Sequence, residues 1–106
     1  MKRRSKSAPP LRFAVIGLGH IAQAAVLPAF RHARPHVELA ALVSGTKAKL
    51  TKLGKRYQVE HLASYADADK LFDSGFIDAV YVATPNTEHT EWVTRAAEAG
   101  LHVLCE

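Results

Sequence analysis

The run Arg12-Phe13-Ala14-Val15-Ile16-Gly17-Leu18-Gly19-His20-Ile21-Ala22 constrains this chain more than any other stretch. Phe13 to Ile16 is a short apolar run that reads as a buried strand, and it stops at Gly17. After Gly19 the apolar spacing turns helical, with Ile21, Ala22, Ala25 and Val26. A G-x-G-x-x-G/A match alone is a weak text pattern, but strand, glycine turn and helix in that order give it the context of a dinucleotide site. Gly17 permits a tight turn, Gly19 lets a pyrophosphate approach the backbone, and Ala22 lets the helix pack closely on the strand. The positive end of that helix and its free N–H groups then face the phosphates.

The rest of the chain repeats the alternation. Val37 to Val43 is a nearly continuous apolar run, as a strand covered on both faces requires. Leu50, Leu53 and Tyr57 share one face of a helix whose other face is lysine-rich. Val59 to Ala63 reads as a third strand, Asp67 to Phe72 as a short helix, and Ile77 to Thr84 as a fourth strand closed by Pro85-Asn86. A helix follows with Asn86 as its N-cap, Gly100 at its end and Val93, Ala96 and Ala97 on its apolar face beside Trp92. His102 to Cys105 is a fifth strand, in which Cys105 is expected to be buried. Pro28 lies within the first helical pattern, at positions 20–33, and predicts a kink or two pieces meeting near Leu27. Strands alternating with helices predict an α/β fold: a Rossmann-like, doubly wound parallel sheet of about five strands in the order 3-2-1-4-5. That order sets the Gly17 turn beside the Ala83-Thr84-Pro85-Asn86 turn.

Composition narrows the function classes. The 106 residues suit one domain, and no apolar run approaches the ~20 residues of a membrane helix. The basic start has no apolar signal core after it, so a cytoplasmic location is expected. Of the formal net charge of +4, Lys2, Arg3, Arg4 and Lys6 supply four positive charges ahead of Pro9-Pro10, and the ten remaining Lys and Arg balance ten Asp and Glu. The excess is therefore a disordered tail over residues 1–10 rather than a basic surface, and nothing marks a nucleic-acid site. The histidines have no metal-ligand spacing, and no Ser-His-Asp or Cys-His arrangement is argued, so no catalytic or metal residue is assigned.

The end of the second strand selects the cofactor. An NAD site normally has Asp or Glu there to accept the ribose hydroxyls. Here the run is Val43-Ser44-Gly45-Thr46-Lys47-Ala48-Lys49, with no carboxylate. A small hydroxyl, an open glycine and one or two lysines would accept a 2′-phosphate that a carboxylate would repel, so NADP is favoured over NAD. Lys47 reads equally as the solvated face of the next helix.

Three segments carry a resemblance: Ala14-Val15-Ile16-Gly17-Leu18-Gly19-His20-Ile21-Ala22, then Ala83-Thr84-Pro85-Asn86-Thr87-Glu88-His89, then Ala99-Gly100-Leu101-His102-Val103-Leu104-Cys105-Glu106. In that order they resemble the N-terminal NAD(P)-binding domain of the glucose–fructose oxidoreductase / inositol dehydrogenase (Gfo/Idh/MocA) oxidoreductases, from Leu11 to Glu106. The resemblance implies that Gly17, Gly19, His20 and Ile21 line the pyrophosphate, and that Ser44, Gly45 and Lys49 hold the adenosine ribose phosphate. It implies that Thr84, Pro85, Asn86 and His89 flank the nicotinamide. Glu106 matches the first residue of the family's Glu-Lys-Pro, and family members are often homo-oligomers.

Family members place the working lysine, the acid–base residues and the covering sheet after this point. The expectation is therefore a cofactor domain, residues 11–106, truncated before the substrate domain of a sugar or polyol oxidoreductase. It would bind the dinucleotide without turnover, and would meet a sugar or polyol only if a catalytic domain were supplied. The alternatives are a stand-alone non-catalytic nucleotide-binding or regulatory module, and a degenerate fragment whose fifth strand is an exposed edge.

Overall fold

The computed structural model describes residues 9–105. The tail at 1–8 and Glu106 lie outside the described residues, and Asn86 is described through its backbone. Five parallel strands form one sheet in the order β3-β2-β1-β4-β5: β1 Leu11–Ile16, β2 Val37–Val43, β3 His61–Ala63, β4 Ala79–Val82 and β5 His102–Cys105. The doubly wound order is as the alternation predicts. Register then aligns the carboxyl ends: Ala63 pairs with Val43, Val43 with Ile16, Ile16 with Val82 and Val82 with Cys105. Every chain leaving a strand leaves on this one edge.

Side chains alternate across the sheet and bury both faces. Val15 and Leu42 point to one side, where they meet Leu27, Leu50 and Leu53. Ile16, Val43, Val80 and Val82 point to the other, onto Leu71, Phe72, Trp92 and Ala96. The helices are thereby assigned: α1 Leu27–His32 and α2 Lys47–Tyr57 cover the first side, and α3 Ala68–Phe72 and α4 Asn86–Glu98 cover the second. Burial of Ala14, Val15, Ile16, Leu42 and Val43, all at zero exposure, explains why these strands read as unbroken apolar runs.

Pro28 acts where expected, by a specific device. A π-helical turn at Ala22–Val26 precedes α1, and the Leu27 N–H donates to the Ala22 carbonyl five residues back. The widened turn lets Pro28 enter at the first turn of α1, where its missing N–H removes no intrahelical bond.

Several local expectations shift. β3 and β4 are shorter than their apolar runs, because only the paired residues count as strand. Tyr65–Asp67 form a single 3-10 turn ahead of α3, capped by Ser64, whose hydroxyl accepts from the Asp67 N–H. α4 begins one residue early, with Pro85 at the N-cap and Asn86 as the first helical residue. Trp92 is buried and Ala97 is exposed, so the inward face of α4 is Trp92, Val93 and Ala96. Cys105 is exposed, not buried, because β5 is an edge strand; Leu104 beside it is 53% exposed. No helix among the described residues is long and apolar enough to cross a membrane.

Candidate functional site

Where β1 ends, the chain must turn at once, and Gly17 does so at φ 95°, a left-handed value that a side chain resists. The turn is tied to both neighbouring strands. The Gly17 N–H donates to the Val43 carbonyl at 2.8 Å, and the Ala83 N–H donates to the Ile16 carbonyl at 2.8 Å. A Cβ on Gly17 would meet Thr84, whereas one on Gly19 would find nothing within 4 Å. The first glycine is thus fixed by packing, and the second leaves open space above the backbone. Gln23 secures the loop from the helix side, its amide donating to the Leu18 carbonyl at 2.8 Å.

These bends enclose a groove of about 580 Å³, within the range of small-molecule sites. Gly17, Gly19, His20, Ile21, Ser44, Gly45, Lys49, Thr84 and Pro85 all line it. Three stretches far apart in sequence are therefore brought to one place. His89 is not among the described residues of its wall. His89 lies one turn into α4 and bonds through Nε2 to the Thr84 carbonyl at 2.6 Å; since a carbonyl only accepts, Nε2 carries the proton. Of the two lysines in the second-strand run, Lys49 faces the groove and Lys47 does not.

The chemistry of the wall is that of an anion acceptor. No carboxylate lies among its described residues. Ser44 is buried, and its Oγ accepts from the Thr46 N–H at 3.1 Å, which leaves the hydroxyl proton to give. The Thr84 hydroxyl is buried with no partner among the described residues, an unused hydrogen-bonding group in the wall of the groove. Ile21 is half exposed, an apolar residue at the mouth that a bound ligand would cover.

Sequence reasoning passed over Tyr65. It lines the groove, its ring lies 5.3 Å from that of Trp92, and its edge would sit 3.1 Å from a Cβ on Gly45. Gly45 is therefore small because an aromatic ring crosses over it. Burial, reinforced by the charge of Glu88, pushes the Tyr65 phenol up, so it is a neutral donor at neutral pH. The available signal was positional: Tyr65 lies two residues after β3, on the edge where every strand of this sheet ends.

Known proteins resemble this chain in sequence and fold. A family model for oxidoreductases with an NAD-binding Rossmann fold, GFO_IDH_MocA, matches residues 11–106. The dTDP-3,4-didehydro-2,6-dideoxy-alpha-D-glucose 3-reductase of Actinomadura kijaniata is 37% identical over 100 residues, covering 94% of this chain and 29% of that protein. The D-xylose 1-dehydrogenase (NADP(+)) 2 of Haloferax volcanii is 34% identical, covering 91% of this chain and 28% of that protein. The aldose-aldose oxidoreductase of Caulobacter crescentus, solved with glycerol, superposes with a TM-score of 0.85 at 43% identity, over 91% of this chain and 29% of that one. KijD10, a 3-ketoreductase from Actinomadura kijaniata solved with NADP and TDP-benzene, gives 0.80 at 36% identity, over 91% of this chain and 28% of that one. This chain spans under a third of the length of these relatives.

Proposed function

The chain belongs to the Gfo/Idh/MocA oxidoreductases, of which it covers the NAD-binding Rossmann domain, and we propose that its groove binds NADP in preference to NAD. The observation that carries this reading is the lining of the groove: Ser44, Gly45 and Lys49 are part of it, with no carboxylate among its described residues. A 2′-phosphate would find a hydroxyl donor in Ser44, a cation in Lys49 and a neutral phenol in Tyr65, while the wall offers the bare ribose of NAD no charged acceptor. The A. kijaniata 3-ketoreductase solved with NADP, and the NADP-dependent xylose dehydrogenase, add support.

The pyrophosphate would cross the open backbone at Gly19, beside His20 and Ile21. Thr84 and Pro85 would flank the nicotinamide, with Asn86 and His89 behind them at the start of α4. Glu106, which the resemblance also assigns to the cofactor, lies outside the described residues. The reaction of the whole protein would be hydride transfer between a carbinol carbon of a sugar or polyol and the nicotinamide. Hydride transfer needs a positioned substrate and exclusion of water, and these 106 residues would hold the carrier without turning it over by themselves.

Thermal unfolding with NADPH, with NADH and with neither tests this. NADPH at about a hundred times its Kd should add ~2.7 kcal/mol of stability, and NADH at the same concentration less. A larger shift with NADH would overturn the cofactor assignment. No shift with either would overturn nucleotide binding and favour a degenerate fragment. Oxidation of NADPH with a sugar by this polypeptide would refute the non-turnover reading.

A further inference from the structure

Among the described residues the two helical faces carry opposite charge, although cations and carboxylates balance in number from Leu11 onward. Helix α2, Lys47–Tyr57, has Lys47, Lys49, Lys52, Lys55 and Arg56 and no acidic residue. All five are exposed, and no described carboxylate pairs with any of them. On the opposite face α3 and α4 carry Asp69, Glu88, Glu91 and Glu98 against Lys70 and Arg95, and both of these cations are ion-paired. The carboxylates of the α2 side, Glu38 and Glu60, lie at the amino ends of β2 and β3, away from the groove. The unpaired positive charge therefore forms a stripe that begins at the groove with Lys49 and continues down α2.

We propose that this stripe steers the dinucleotide, drawing the polyanion along α2 to the groove and favouring the carrier with the extra phosphate. The inference rests on the dinucleotide reading above and adds how the ligand arrives. Lys52 and Lys55 stand about 4.5 and 9 Å beyond Lys49 along the helix axis, at ~1.5 Å per residue. That is comparable to the screening length of about 8 Å at physiological ionic strength. Neither lines the groove, so they act through their field and not through contact with the bound ligand. The 2′-phosphate adds about −1.5 to −2 charge, so the field accelerates NADP more than NAD.

Stopped-flow binding of NADPH to the purified protein, across ionic strength, reads this directly. Lys52→Glu/Lys55→Glu should lower kon about tenfold at low salt, with koff unchanged and the gap closing as salt rises. The neutral pair Lys52→Gln/Lys55→Gln should give a smaller loss of the same kind, and covers the case in which reversal unfolds the last turn of α2. Lys70→Glu, on the acidic face, should leave kon unchanged. NADH should lose less than NADPH in each α2 variant. An unchanged kon in the α2 variants, or a change confined to koff, overturns steering while leaving nucleotide binding intact. Absence of NADPH binding to the unmutated protein overturns the dinucleotide reading, and the inference with it.

Discussion

Gly17 faces Thr84 so closely that a methyl group on Gly17 would lie 3.0 Å from both the backbone nitrogen and the Cγ2 of Thr84. The two bends that form the floor and wall of the groove are thus in direct contact, held by the hydrogen bond from the Ala83 N–H to the Ile16 carbonyl.

Gly17→Ala should therefore be damaging twice over. The residue keeps φ 95°, at ~1–2 kcal/mol for a side chain in the left-handed region, and the new methyl pushes on backbone that cannot yield locally. A lower Tm and loss of the NADPH-induced shift are expected in thermal melts; Gly19→Ala, with open space above it, should keep the Tm and lose only binding.

Ser44→Asp should reverse the cofactor preference. A carboxylate there can still accept the Thr46 N–H, so the loop should survive, but it repels a 2′-phosphate and accepts from ribose hydroxyls. Calorimetric titration should show NADPH weakened by about ten- to a hundredfold, the scale of one charge-assisted hydrogen bond, with NADH strengthened. An unchanged NADPH-to-NADH affinity ratio would refute the assignment.

Gly45 and Tyr65 should be energetically coupled through the ring that crosses the glycine. Gly45→Ala alone should displace the ring and weaken NADPH binding severalfold. In Tyr65→Ala the same glycine substitution should cost less, a coupling of about 0.5–3 kcal/mol in a double-mutant cycle. Additive effects would mean that the ring does not set the shape of this end.

His89→Ala removes the donor to the Thr84 carbonyl and should loosen the Pro85 turn by ~1 kcal/mol. Faster hydrogen exchange at residues 84–88 is the expected readout, and His89→Gln, which keeps an N–H donor, should restore part of the protection. Exchange identical to wild type would leave His89 without a part in holding the turn.

At the other end of the sheet Arg12 and Asp78 pair through two contacts, Nη2 to Oδ1 at 2.9 Å and Nε to Oδ2 at 3.1 Å, and the Arg12 N–H adds a third to Oδ2. Side-chain hydrogen bonding from Arg12 holds the Asp78 carboxyl below its usual value, against a smaller opposing effect of burial. A carboxyl held down in the folded state stabilises the fold above its unfolded pKa, and that contribution fades as pH falls through the folded value. Both side chains are more than a third exposed, so solvent screens the pair. Asp78→Asn should lower Tm by a few degrees at neutral pH, and the difference should shrink below about pH 4. A difference independent of pH would show that the pair acts by shape and not by charge.

The fold and the outline of the groove were legible in the sequence because both rest on patterns local to a few residues. Phe13 to Ile16 and Val37 to Val43 had to be buried strands, Gly17 had to turn, and Pro28 had to interrupt a helix. The carboxylate-free run from Ser44 to Lys49 is equally local, and so is the charge on α2.

What the sequence could not supply is contact between residues that only the winding of the sheet brings together. Tyr65 over Gly45, His89 on the Thr84 carbonyl, and Arg12 with Asp78 at a separation of 66 residues carry no local pattern. Cys105 departs from its expected burial for the same reason: an apolar run shows that a strand forms, but its place at the sheet edge decides whether anything covers it. Local stereochemistry and hydrophobic period set which elements form and where they turn. Register, crossing and edge position set which side chains meet, and only the folded sheet fixes those.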